Sequence, residues 1–326
     1  MPRTVRTDLL PAIGRRLATT LLTLFGVSVV VFLILRVLPG DAVTASLGVS
    51  AGLLTPEQRA ALNEYYGIGQ PPIEQYLSWL GSVLTGNLGV SLSARLPVST
   101  LIAQTLPATL ELSFVALAMA LLIGVPLGAL GAMRPGGVAD RFGDTVSLVG
   151  LGVPVFIVGT AMVTILASVF HYFPSSLGFA GVTKDPLLNV QQIFFPALAL
   201  SLSIAAALLR TTRTSVLEVS GLNFVRTARG KGLSARAVTW RHIVLNALIP
   251  IITMAGIQLG YLLGGTVIIE QIFVLPGLGR LLLTAINNQD FSVIMSVTIL
   301  YAAAFLIVNM LVDVLYTVID PRTRAR

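Results

Sequence analysis

Apolar runs recur six times along the chain, at about residues 17–38, 110–132, 146–170, 193–209, 243–269 and 293–318. A helix needs roughly 20 predominantly apolar residues to cross the ~30 Å hydrocarbon core of a bilayer. The pattern therefore predicts an all-α polytopic membrane protein with six transmembrane helices. Two longer polar stretches interrupt it. The first, residues 40–105, follows span one and contains "LTPEQRAALNEYYGI" and "QYLSWLGSVLTGNLG". Within it Thr55-Pro56-Glu57 is a helix-start signal, with Thr55 as cap and Pro56 in the first turn. The second, about 210–242, separates spans four and five. Residues 1–105 thus read as an N-terminal region with span one and a large external segment, and 106–320 as a core holding spans two to six and the 210–242 loop.

Charge orients the spans. Only 11% of residues are charged, and of the 21 Lys and Arg, sixteen fall on one side of the six-span arrangement and five on the other. By the positive-inside rule the basic side is cytoplasmic, with both termini on it. The apolar run of span one exceeds the 7–15 residues of a signal-peptide core, so it reads as an anchor that is retained.

The cytoplasmic loop between spans four and five carries "RTARGKGLSARAVTWRH" (226–242), with Arg226, Arg229, Lys231, Arg236 and Arg241 in an otherwise greasy chain. It is not a phosphate-binding loop. The Walker pattern around Gly230-Lys231 requires Gly at 225 and Ser or Thr at 232, where Val225 and Gly232 stand. Nor does it have the interleaved aromatics that stack bases; Trp240 sits where a membrane-interface belt places it. Two readings remain. One is an ordinary basic loop beside anionic lipid. The other is a shaped docking surface: Leu222, Val225 and Ala228 recur at helical spacing, Gly230 and Gly232 break the helix, and Ser234 caps a second helix running through Val238 and Trp240 into span five.

There are no cysteines and two histidines, His171 and His242, which excludes thiol chemistry and a Cys-ligated metal. No H-E-x-x-H or G-x-S-x-G motif is present. Charged residues are absent from the middle of every span, which argues against a proton-relay secondary transporter.

The loop resembles the "EAA" loop of ABC importer permeases. Arg226-Thr227-Ala228 stands at the E-A-A position, Gly232 follows after three residues, and Pro250 closes "NALIP", a variant similar to the peptide and nickel branch. "RVLPGDAV" (36–43), "LPATLELS" (106–113), "VLPGLGRLL" (274–282) and "VNMLVDVLYTVIDPRTR" (308–324) extend the resemblance over nearly the full length. It implies the type I ABC importer (MetI-like) permease fold in the bacterial cytoplasmic membrane. It further implies a non-catalytic subunit forming half of a pathway for di- or oligopeptides, with nickel or another small solute, or a stand-alone secondary transporter, as alternatives. The implied partners are a homologous second permease, two ATPase domains that hold ATP and Mg, an external substrate-binding protein and lipid, with no nucleic acid and no cofactor in this chain. The segment 221–233 would be the coupling helix, with Phe224, Arg226, Thr227, Ala228, Arg229, Gly232 and Leu233 at the ATPase.

Within the spans, Gly256, Gly260 and Gly264 form a small-xxx-small ridge, suited to packing within the chain or to a seam with the second permease. Gly124 and Gly128 form a similar pair. Pro154 and Pro250 are placed either to kink spans three and five or to serve local packing. Glu111 and Glu270 lie near the external ends of spans two and five, either solvated at the interface or forming an acidic mouth. Thr253 and Gln258 are candidates for the pathway, and Asp313, near the cytoplasmic end of span six, calls for a basic partner such as Arg15, Arg16 or Arg210.

Overall fold

A computed structural model describes residues 9–37, 55–58, 61, 71–172 and 179–319, with side chains over 14–35, 55–58, 61, 71–172 and 179–312. Most of the 40–70 stretch, both chain ends and the side chain of Asp313 lie outside the described residues. The helices, in chain order, are α1 (Leu9–Val37), α2 (Pro72–Leu84), α3 (Val98–Met133), α4 (Val138–Gly152), α5 (Val155–Val169), α6 (Pro186–Ser220), α7 (Asn223–Gly230), α8 (Ala235–Gly265), α9 (Val267–Ile272), α10 (Leu278–Asn287) and α11 (Phe291–Ile319). Five helices among the described residues are long and apolar enough to cross a membrane, and the bent pair α4–α5 brings the number to six when its two halves are counted as one span.

Packing divides the chain into Met1–Pro107 with Gly277–Leu306, and Ala108–Pro276 with Ile307–Arg326. In the first unit, α1 shows Leu21, Leu22, Phe25, Leu33 and Ile34 outward, as a lipid-facing helix does. Tyr76 of α2 meets the rings of Phe25 and Phe32 edge-on, and its hydroxyl lies 2.7 Å from Ser28 Oγ. Thr55 caps as expected: its Oγ1 accepts from the Gln58 amide N–H and the Gln58 side chain accepts from the Thr55 N–H, a reciprocal capping box. Val98, Leu101, Leu278, Ala285, Val293 and Val297 form this unit's core. Asp290, fully buried, starts α11 by accepting from Ser91 Oγ at 2.6 Å, Ser93 Oγ at 2.9 Å and the Val293 N–H.

In the second unit α6 is the hub, with 67% of its apolar window buried. Small residues let its neighbours come close. Ala108, Leu112, Ala116 and Ala120 are buried along α3 at four-residue spacing, the period of one helix face. The row continues into Gly124 and Gly128, where a Cβ would lie 2.5 Å from the carbonyl oxygens of Ala205 and Leu209 on α6. Gly150 of α4 does the same against Ala206, at 2.7 Å. Packing within the chain therefore accounts for the Gly124/Gly128 pair.

Span three departs from expectation. A kinked but continuous helix over 146–170 was predicted. Instead α4 and α5, 15 residues each, meet at 97°. At ~1.5 Å per residue neither half crosses a bilayer alone. The cause is local: Pro154 forces Val153 into the extended region (φ −91°, ψ 119°) and cannot donate to the α4 ladder. Span five also differs. It begins at Ala235, passes through a π-helical stretch at Val238–Val244, and stops at Gly265 before the separate short helix α9.

Candidate functional site

The loop between α6 and α8 is a folded element. α7 ends in a Schellman motif, in which Gly232 N–H donates to Arg229 O at 3.0 Å and Leu233 N–H to Ala228 O at 3.4 Å. That turn requires a left-handed residue after the cap, and Gly232 supplies it at φ +77°. Ser234 then accepts from the Ala237 N–H and opens the next helix, as expected. The helix is shorter than the 221–233 expected.

One side of α7 is part of the chain's own core. Val225 (0% exposed) and Ala228 (5%) pack with Ala132, Val216, Val238, Ile243 and Ala247. This corrects the placement of Ala228 at a docking surface: it seats α7 on the ends of α3, α6 and α8. The other side is free. Phe224, Arg226, Thr227, Arg229, Gly232 and Leu233 are exposed, as is Leu222, which precedes the helix rather than packing with Val225. Phe224 and Leu233 show more than 40% of their surface. The result is a rigidly seated helix with an apolar-and-basic outer face, the form in which a helix enters a partner's groove.

Beside this element lies a pair that motif reasoning missed. Arg213, on the last turns of α6, makes a two-pronged contact with Asp140 in the first turn of α4, Nε to Oδ1 at 2.5 Å and Nη2 to Oδ2 at 3.0 Å. The residues are 73 positions apart, and no local pattern announces such a contact.

The span residues do not converge on one site. Glu270 is fully buried, and its Oε1 accepts from Thr109 Oγ1 at 2.7 Å and Thr266 Oγ1 at 2.8 Å. Neither interface solvation nor an open acidic mouth describes it: this carboxylate ties α9 to α3. Glu111 is half-buried near Asn189 of α6, whose amide donates to Ala180 O. Thr253 donates to Ile249 O within its own helix, and Gln258 contacts Met254 Sδ. A Cβ at Gly256 would run into Val312, whereas Gly264 faces open space; Gly260 is buried. The glycine ridge thus packs inside the chain at one end and is uncovered at the other.

The Glu270 geometry sets an expected result. Glu270→Ala leaves two buried hydroxyls without their acceptor, at about 1–3 kcal/mol, and should lower the melting temperature in detergent, with Glu270→Gln milder. A pathway role would instead reduce uptake at unchanged melting temperature.

Comparison with known proteins agrees with this architecture. Residues 124–325 match the family described as "Binding-protein-dependent transport system inner membrane component", and residues 9–113 match its N-terminal companion. The chain is 36% identical over 310 residues (95% of this chain, 98% of the other) to a probable peptide ABC transporter permease of Sinorhizobium fredii. It is 34% identical to the oligopeptide transport system permease AppB of Bacillus subtilis (94% and 97%) and 32% identical to the dipeptide transport system permease DppB of Escherichia coli K12 (97% and 99%). Among solved structures the MetNI methionine ABC transporter aligns with a TM-score of 0.55 at 17% identity, covering 68% of this chain and 96% of that one, which speaks for the fold. With both family models matched along the chain and relatives above 30% identity over nearly all of it, this protein belongs to the family of inner-membrane components of binding-protein-dependent ABC import systems.

Proposed function

We propose that the chain is one of two paired permease subunits of a peptide importer, driven by ATPase subunits that dock on α7. The observation that carries the docking is the two-sidedness of α7: Val225 and Ala228 fix it to the chain, while Phe224, Arg226 and Arg229 are left outward. The peptide substrate is supported by relatives named for peptide, dipeptide and oligopeptide transport over nearly the whole length. ATP and Mg belong to the partners in this reading, since the chain has no Walker motif. The basic loops and both termini face the cytoplasm, and an external binding protein delivers substrate to the opposite side.

The test is reconstitution. Proteoliposomes holding this chain, its paired permease and the ATPase subunits, supplied with binding protein, should accumulate labelled di- to pentapeptides with ATP. The purified chain alone should hydrolyse none. Uptake of labelled nickel with exclusion of all these peptides would overturn the substrate assignment, and ATP turnover by the isolated chain would overturn the division of labour.

A further inference from the structure

The broken third span meets the docking helix by way of α6, and one of the contacts that seat α4 on α6 is ionic. Asp140 is 5% exposed and Arg213 30%. Asp140 Oδ2 also accepts the Gly136 N–H at 2.8 Å, and the turn that bears Gly136 folds so closely that a Cβ at Gly131 would sit 3.2 Å from Asp140 Oδ1. Gly128 leaves no Cβ room against Leu209 and Thr212, and Gly143 faces Leu209. The cytoplasmic end of α6 is therefore held by α3 through Gly128, and by α4 through Gly143 and a bidentate, charge-assisted pair, the strongest class of side-chain hydrogen bond. Asp144, exposed one turn further along α4, adds attraction to Arg213.

The far end of α4 has no ion pair among the described residues but also lies close on α6, where a Cβ at Gly150 would sit 2.7 Å from Ala206 Cβ and 3.0 Å from the Leu202 carbonyl oxygen. The helix stops at the 97° break before α5. On the α6 side of that break lies a cavity of about 310 Å³ lined by Val146, Val149, Val153, Val155, Val158 and Leu202. α4 is thus seated on α6 at both ends, by the ion pair at its cytoplasmic end and by Gly150 near its membrane end, with an open pocket beside the bend. α6 leads directly through Gly221 and Leu222 into α7.

We propose that the Asp140–Arg213 pair is a positioning latch that makes α4 move with the α6–α7 unit, so that displacement of the docking helix reaches the bend of span three. The latch rests on the docking reading of α7. Neither residue touches substrate or ATP; both act through the helices they join.

The test uses the assembled complex in proteoliposomes and compares ATP hydrolysis with and without binding protein, alongside the amount of ATPase retained. Asp140→Asn should keep the full ATPase complement and the unstimulated rate, yet lose stimulation by binding protein about fivefold or more, the low end of typical coupling. Arg213→Asp alone should do the same. The exchange Asp140→Arg with Arg213→Asp should recover part of the stimulation, without the Gly136 contact. Unchanged stimulation in Asp140→Asn overturns the latch, as does loss of stimulation that merely parallels loss of bound ATPase, which marks a structural pair. A full ATPase complement in Phe224→Glu would overturn the docking reading, and the latch with it; an intact response to Asp140→Asn with docking intact overturns the latch alone.

Discussion

Gly128→Val should abolish most folded protein. The added Cβ falls 2.5 Å from the Leu209 carbonyl oxygen and 2.8 Å from Thr212 Cβ, and the first of these is backbone that no rotamer change moves aside. Overpacking of a close-packed interior costs about 1–3 kcal/mol, and a contact with main chain belongs at the upper end. Yield of monodisperse protein and melting temperature in detergent report the effect. Gly264→Val, at a position with nothing within 4 Å, should leave both unchanged. A wild-type melting temperature for Gly128→Val would show that α3 and α6 are not packed as described.

Phe224→Glu should leave the chain folded and strip the ATPase subunits from it. Phe224 contributes nothing to the core around Val225, so its loss is felt by a partner alone. Central apolar anchors of an interface are worth about 2 kcal/mol or more, roughly thirtyfold or more in affinity. Arg236→Gln, at an exposed charge on the following turn, should matter far less, since exposed ion pairs contribute about 0–1 kcal/mol. If the loop served lipid contact instead, removing charge would do the damage and Phe224→Glu would retain its ATPase. Gly232→Val should lie between these: its Cβ meets nothing in the chain, but a β-branched residue in the left-handed region costs about 1–2 kcal/mol and disturbs the Schellman turn.

Much of this was legible in the residues, for physical reasons. Apolar run length exposed the spans because the bilayer sets the length of every crossing helix. Gly232 and Ser234 were readable because a left-handed turn and an N-cap each demand a particular residue type at a fixed offset. Four features were not readable. Pro154 signals a disturbance but not its size: with Val153 extended before it, the two halves meet at 97° rather than at a shallow kink. Val274 holds φ +57° after α9, a position where glycine is the usual occupant, so composition gave no sign of that turn. The inward placement of Ala228 on α7 is not readable either, because helical spacing groups residues on a face without saying what that face meets. Asp140–Arg213 and Thr109–Glu270 are contacts across 73 and 161 positions, visible only once the helices are packed.

The account stands or falls on whether the outer face of α7 touches an ATPase. Because the chain has no cysteine, a single introduced cysteine is the one thiol this subunit brings to the complex. In the assembled, ATP-hydrolysing complex, Arg226→Cys treated with a short thiol-to-amine crosslinker should yield an adduct with an ATPase subunit, and Ala228→Cys, 5% exposed in the native chain, should yield none. An active complex in which Arg226→Cys gives no ATPase adduct, or in which Ala228→Cys gives one, would contradict it.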